Sequence, residues 1–115
     1  MNLLAHDLLY GHNYIRMSKQ LYLVAKFDLD DADNFAPIFA KHAKDSRAKV
    51  GCLFFYLIRD REDPSKFATM ECWEDYSYFE RHVADDEHEA FFKQIKPLFR
   101  KPPEVMEADL LMGME

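Results

Sequence analysis

The sequence predicts an α+β fold, in which one four-stranded antiparallel sheet carries helices on a single face in the chain order βαββαβ. Three observations carry this reading. Apolar residues alternate at strand spacing in Cys52–Arg59 and again in Lys66–Trp73. Phe35, Ile38, Phe39, His42 and Ser46 recur at helical spacing ahead of them. Pro102-Pro103 then stops a later helical pattern and leaves room for one last strand.

The first strand is expected over residues 20–29, with Leu21, Leu23, Ala25 and Phe27 on one side and Tyr22, Val24 and Lys26 on the other, buried on both faces. Pro37 keeps every helical hydrogen bond only in the first turn, so the helix is expected to start near Asp33 or Asn34. A start at Asp30 would put the proline mid-helix at a cost of ~3 kcal/mol. The helix runs to about Lys49, and Gly51 opens the exit. Its basic end, Lys41, Lys44, Arg47 and Lys49, suits the helix macrodipole.

Cys52–Arg59 and Lys66–Trp73 form a hairpin joined by Asp60-Arg61-Glu62-Asp63-Pro64-Ser65, a polar connection of ordinary length. Counting back from Glu62 and Asp63 sets Cys52 opposite Cys72, and both read as reduced core thiols. Glu74-Asp75 seeds a helix near Tyr76. Asp85 and Asp86 cap another, carrying Ala90, Phe91, Ile95, Leu98 and Phe99, which Pro97 bends or ends. The last strand is expected over residues 104–112, with Met106, Ala108, Leu110 and Met112 on its apolar face. This order is the ferredoxin-like plan.

Composition narrows the functional classes. With 115 residues, 49% of them apolar, the chain makes one domain, here taken as residues 17–115, because Met17-Ser18-Lys19 resembles a second translation start and marks residues 1–16 as an N-terminal extension. The extension lacks the pattern of a signal peptide, and no apolar run is long enough for a bilayer. A formal charge of -6 argues against a nucleic-acid surface. A cytoplasmic protein without nucleic-acid or membrane partners is expected.

The second strand is apolar on both sides, with Cys52, Phe54, Tyr56 and Ile58 alternating against Leu53, Phe55 and Leu57. A monomer would leave that open sheet face wet, which predicts a homodimer formed through it.

Ionisable residues interrupt the apolar faces. His42 sits on the helical stripe, Glu71 alternates with Phe67, Thr69 and Trp73, and His82 follows Phe79 by nearly a turn, so all three are expected to point into one apolar cavity. His82 and His88 are six residues apart and no Cys, His or carboxylate set has metal-ligand spacing, so no metal site is expected. With three glycines in the chain there is no phosphate-binding loop.

Ser46-Arg47-Ala48-Lys49-Val50-Gly51-Cys52, the aromatic strand, the acidic Asp-Pro turn, the run from Phe67 to Glu71-Cys72-Trp73-Glu74-Asp75, and Phe79-Glu80-Arg81-His82 together resemble the antibiotic biosynthesis monooxygenase domain over about residues 20–112. The resemblance implies a dimeric α+β barrel with a pocket between each sheet and its helices. It also implies an oxygenase acting on a small phenolic or quinol-type compound without metal, flavin or haem.

Such a reaction needs a base, a dry aromatic enclosure and donors for the anion that follows. His42 or His82, with Glu71, are the candidate catalytic groups. Trp73, Tyr22, Phe39 and Phe91 are the candidate enclosure, and Arg47 and Ser46 candidate donors at its edge. The structural alternatives are a His82 hydrogen-bonded to Glu71, a core histidine at 42, a Trp73 that fills volume and an Arg47 that anchors the helix end. In function, the alternatives are an isomerase or other proton-transfer enzyme on a small carbonyl compound, and a dimeric module that only binds an apolar ligand.

Two departures from the family pattern stand out. Lys49 occupies a place, two before Gly51, where the family commonly has an acid. Relative to the haem-degrading branch, Ala25 replaces an asparagine, and Phe91 or Phe92 falls where the iron-ligating histidine belongs, which argues against haem.

Overall fold

The structure, a computed structural model, describes residues 19–113; the extension expected at 1–16 lies outside them. Strand β1 (Leu21–Asp28) leads to helix α1 (Ala32–Arg47), then to the hairpin β2 (Cys52–Arg59) and β3 (Lys66–Trp73). Helices α2 (Tyr76–Ala84) and α3 (Asp86–Ile95) follow, then a 3-10 turn at Lys96–Leu98 and strand β4 (Glu104–Ala108). The sheet order is β2-β3-β1-β4 with all neighbours antiparallel, so the fold is α+β and ferredoxin-like.

Register decides which side chains meet the helices. Leu23 pairs with Glu71 and Ala25 with Thr69, while Phe55 faces Glu71 from β2 and Val105 faces Ala25 from β4. These residues share the helix-covered face, because alternate residues of a strand point the same way. Two apolar clusters form there. One holds Leu29, Phe39, Phe67, Phe91 and Ile95, and the other Leu21, Ala43, Phe55 and Trp73.

The opposite face carries Val24, Tyr56, Ile58, Met70 and Met106. Tyr56, Ile58, Met70 and Met106 are exposed in the single chain, so the far side of the sheet is not buried as the sequence suggested for β1 and β2. Among the described residues no helix is long and apolar enough to cross a membrane.

Four local expectations shift. Helix α1 begins at Ala32, which places Pro37 in the second turn, and Asp31 before it adopts a left-handed backbone (φ 54°) without capping through its side chain. The carbonyl of Asp33 thereby loses its intrahelical donor, a cost the packed face of α1 tolerates. A bulge at Leu53 offsets the hairpin, so Cys52 faces Trp73 and Cys72 faces Phe54 rather than one another, and both thiols are free. Strand β4 ends at Ala108 because its partner β1 runs out one residue beyond the Tyr22–Ala108 pair. The helix expected from Asp85 and Asp86 stops at Ile95 and tightens into the 3-10 turn, with Pro97 inside it.

Candidate functional site

A cavity of about 260 Å³ opens between the sheet and the three helices. It lies where the two apolar clusters meet, with Phe91 contributed by one and Phe55 by the other. His42, Glu71 and His82 all line it, as do Thr69 and His88. The volume falls just below the roughly 300–1,000 Å³ of pockets for drug-sized ligands, so it suits a molecule of one or two rings. A larger cleft of about 390 Å³ at the far end of the sheet is walled by surface charges of both signs, including Lys26, Asp28, Arg59 and Asp60. It gathers no imidazole.

The polar network begins at His42. Its Nδ1 lies 2.7 Å from Glu87 Oε2 across the α1–α3 contact. Lys49, just beyond α1, reaches three partners: Glu87 Oε1 at 2.6 Å, Asp85 Oδ2 at 2.9 Å and His82 Nδ1 at 2.8 Å. Asp85 also caps α3 by accepting the His88 backbone N–H at 2.9 Å. Lys49, the residue that reverses the family's usual charge, therefore ties the three helices together.

These partners fix which ring nitrogens carry protons. An ammonium only donates, so Nδ1 of His82 accepts from Lys49 and the neutral ring holds its proton on Nε2. An ionised carboxylate only accepts, so Nδ1 of His42 donates to Glu87 and leaves Nε2 with a free lone pair. One histidine is thereby set as a donor and the other as an acceptor.

Burial keeps the rings neutral. It pushes His42 below the ordinary imidazole range despite the pull of Glu87. Burial, then the charge of Lys49, takes His82 down to about 3, and His88 is lowered by burial and by His42 and Lys49. Burial would raise Glu87, yet hydrogen bonds from Lys49 and His42 outweigh it and hold the carboxyl below its usual value.

Glu71 goes the other way. Burial lifts its pKa, even though Trp73 Nε1 donates to it at 3.0 Å and Thr69 Oγ1 at 2.9 Å. Its bonding partners lie two residues either side on its own strand, not at His82.

The remaining expected site residues divide plainly. Phe91 lines the cavity and stacks on His42 with centroids 3.7 Å apart. Trp73 is fully buried beneath His82, stacked at 4.7 Å, and supports the wall without forming it. Phe39 is enclosed in the core between Phe67 and Phe91. Ser46 is buried and spends its hydroxyl on the His42 carbonyl one turn back, at 2.7 Å. Tyr22 lies on the open face against Phe54, because it alternates with Leu21 and Leu23, and Arg47 is exposed at the end of α1. Neither reaches the cavity.

His88, Glu87 and Lys49 were not among the site residues expected from the sequence. His88 continues the stripe of Phe91, Phe92 and Ile95 at helical spacing, so its inward face was open to discovery. Glu87 and Lys49 join only through tertiary packing.

A family model for antibiotic biosynthesis monooxygenases matches residues 23–94. The chain belongs to the antibiotic biosynthesis monooxygenase family. Solved structures agree on the fold. An antibiotic biosynthesis monooxygenase is 22% identical at a TM-score of 0.76, with 80% of this chain and 99% of that one covered. A cofactor-independent oxygenase from Streptomyces nogalater is 17% identical at a TM-score of 0.75, covering 84% and 98%. A protein from Pseudomonas aeruginosa is 26% identical at 0.76, covering 85% and 100%. No curated protein matches the chain.

Proposed function

We propose that this family member is a monooxygenase that oxidises a small phenolic or quinol-type compound with O2 and without a bound cofactor. The observation that carries the reading is the Glu87–His42 hydrogen bond at the wall of an aromatic cavity, since it leaves a neutral imidazole with an unprotonated Nε2. Such a group takes the proton of an acidic phenol or of an activated CH2. His82, with its proton on Nε2, is suited to donate to the resulting oxyanion.

The electron count closes without a reductant. The deprotonated substrate gives one electron to O2, and the substrate radical and superoxide join at carbon to form a hydroperoxide. Loss of water then leaves a carbonyl, so a CH2 becomes C=O, one oxygen stays in the product and the other leaves as water. The substrate supplies all four electrons that reduce O2 and both hydrogens of the water.

The cofactor-independent oxygenase among the structural relatives supports this reading at the level of the fold. The apolar row Tyr56, Ile58, Met70 and Met106 supports pairing of two copies through their sheets, which would remove it from water.

Oxygen uptake with a panel of dihydroxynaphthalenes and anthrones tests the proposal. Uptake with one product oxygen per O2 is expected. Absence of uptake, together with exchange of substrate protons into solvent, would replace it with a proton-transfer enzyme, since the same dyad serves that chemistry.

A further inference from the structure

His42 on α1, His82 on α2 and His88 on α3 each bring one ring nitrogen to a common point, all within 4.8 Å of one another. Their ring centroids are 5.6 Å (42 to 82), 5.6 Å (42 to 88) and 4.9 Å (82 to 88) apart. Three separate helices are needed to assemble the group, which is why spacing along the chain pointed to no metal site. We infer that these three histidines form a site for one divalent transition cation of the zinc type at the wall of the cavity.

The donor set selects the ion. Imidazole nitrogens suit zinc, copper, nickel and iron, whereas magnesium and calcium want oxygens that this group does not offer. Three protein nitrogens leave a fourth position open, and here the adjoining 260 Å³ cavity can supply water or a ligand to it.

Glu87 adds the second observation. A ligating histidine ordinarily donates its other N–H to a carboxylate, and Glu87 Oε2 already stands 2.7 Å from His42 Nδ1.

Some contraction is required. Tetrahedral bonds of about 2.0–2.1 Å set nitrogens about 3.4 Å apart, so a pair at the outer limit must close by about 1.4 Å. Rotation of the His88 side chain, the least buried of the three, is the available adjustment.

Lys49 competes. A cation on Nε2 of His82 moves the ring proton to Nδ1, where Lys49 now donates, so the ammonium must withdraw toward Asp85 and Glu87, which it already contacts. Binding itself does not depend on the oxygenase reading. If that reading holds, an occupied site takes the lone pair of His42 and blocks the metal-free reaction.

The test is titration of untagged, chelator-stripped full-length protein with Co2+, followed by visible absorption, and with Zn2+, followed by calorimetry. One equivalent with an intense tetrahedral cobalt spectrum is expected, lost in His88→Ala. Glu87→Gln should weaken binding roughly 10–100-fold, and Lys49→Met should tighten it. His6 and His12, outside the described residues, provide the rival source of binding. Uptake that survives in a folded His88→Ala protein would overturn the proposal. If that variant unfolds, His88→Gln takes its place with the same criterion. Absence of saturable uptake by the parent protein would also overturn it.

Discussion

The indole N–H of Trp73 donates to the Glu71 carboxylate at 3.0 Å, across one residue of the same strand, with both side chains turned into the core. Strand alternation makes this contact available to any i, i+2 pair on one face. Here it lets a buried acid line the cavity with one oxygen held by Trp73 and the other by Thr69.

Trp73→Phe retains an aromatic ring beneath His82 but removes the donor. One Glu71 oxygen is then orphaned, which costs about 1–3 kcal/mol, and the smaller ring adds to the loss. Urea denaturation at neutral pH measures the difference. A loss near zero would mean that water replaces the indole N–H.

Glu71 should also make stability depend on pH. Its folded-state pKa lies above the 4.5 of the unfolded carboxyl, so the unfolded chain releases that proton first. Its contribution to stability therefore falls as pH rises through 4.5, until the buried group also ionises and the penalty becomes constant. Glu71→Gln keeps an acceptor for Trp73 and removes the titration. The variant should gain on the parent between acid and neutral pH, read as denaturation midpoints across that range. A difference that is the same at every pH would show that Glu71 does not titrate as described.

The fold was legible because its signals are local. Alternation in the hairpin, the α1 stripe and the acidic caps at Asp75 and Asp85 each act within a few residues. The inward aim of His42, Glu71 and His82 followed from the same periodicities. What stayed hidden was three-dimensional. The bulge at Leu53, which separates the cysteines, is set by pairing. The meeting of Lys49 with Asp85, Glu87 and His82 depends on how α2 and α3 dock beside the end of α1. Tyr22 was misplaced because an aromatic residue on a two-sided strand does not reveal which face holds the pocket.

If the proposed oxygenase reaction is correct, His42→Ala should lower turnover by about 10²–10⁴-fold, the usual contribution of a positioned base. Glu87→Gln permits the amide to donate to Nδ1 and so favours the wrong tautomer, which predicts a loss of similar order. Oxygen-electrode rates with a reactive anthrone decide this. Full activity in either variant would remove His42 from the mechanism.

Met70 tests the proposed pairing of sheets. It lies on the open face, paired in register with Tyr56 and Val24. A lysine there would place an unpaired charge in each half of a two-fold contact, a cost of several kcal/mol per ion. Met70→Lys should convert a dimer to a folded monomer by sedimentation. A parent protein that sediments as a monomer, or a variant that remains dimeric, would move the interface elsewhere.

Gly51 offers a test of the link between α1 and β2. Its φ of 85° lies in the left-handed region, and a Cβ built there would overlap the ring of Tyr78 on α2. Gly51→Ala should therefore cost about 1–2 kcal/mol for the backbone and about 1–3 kcal/mol for the overlap. Tyr78→Ala in the same chain relieves only the second part. The double variant should therefore lose less than the sum of the two single losses, and the shortfall measures how tightly α2 is held against this turn. Simple additivity in denaturation would mean that Tyr78 swings aside freely, and that the close approach of α2 to Gly51 does not fix the position of His82 one turn further along.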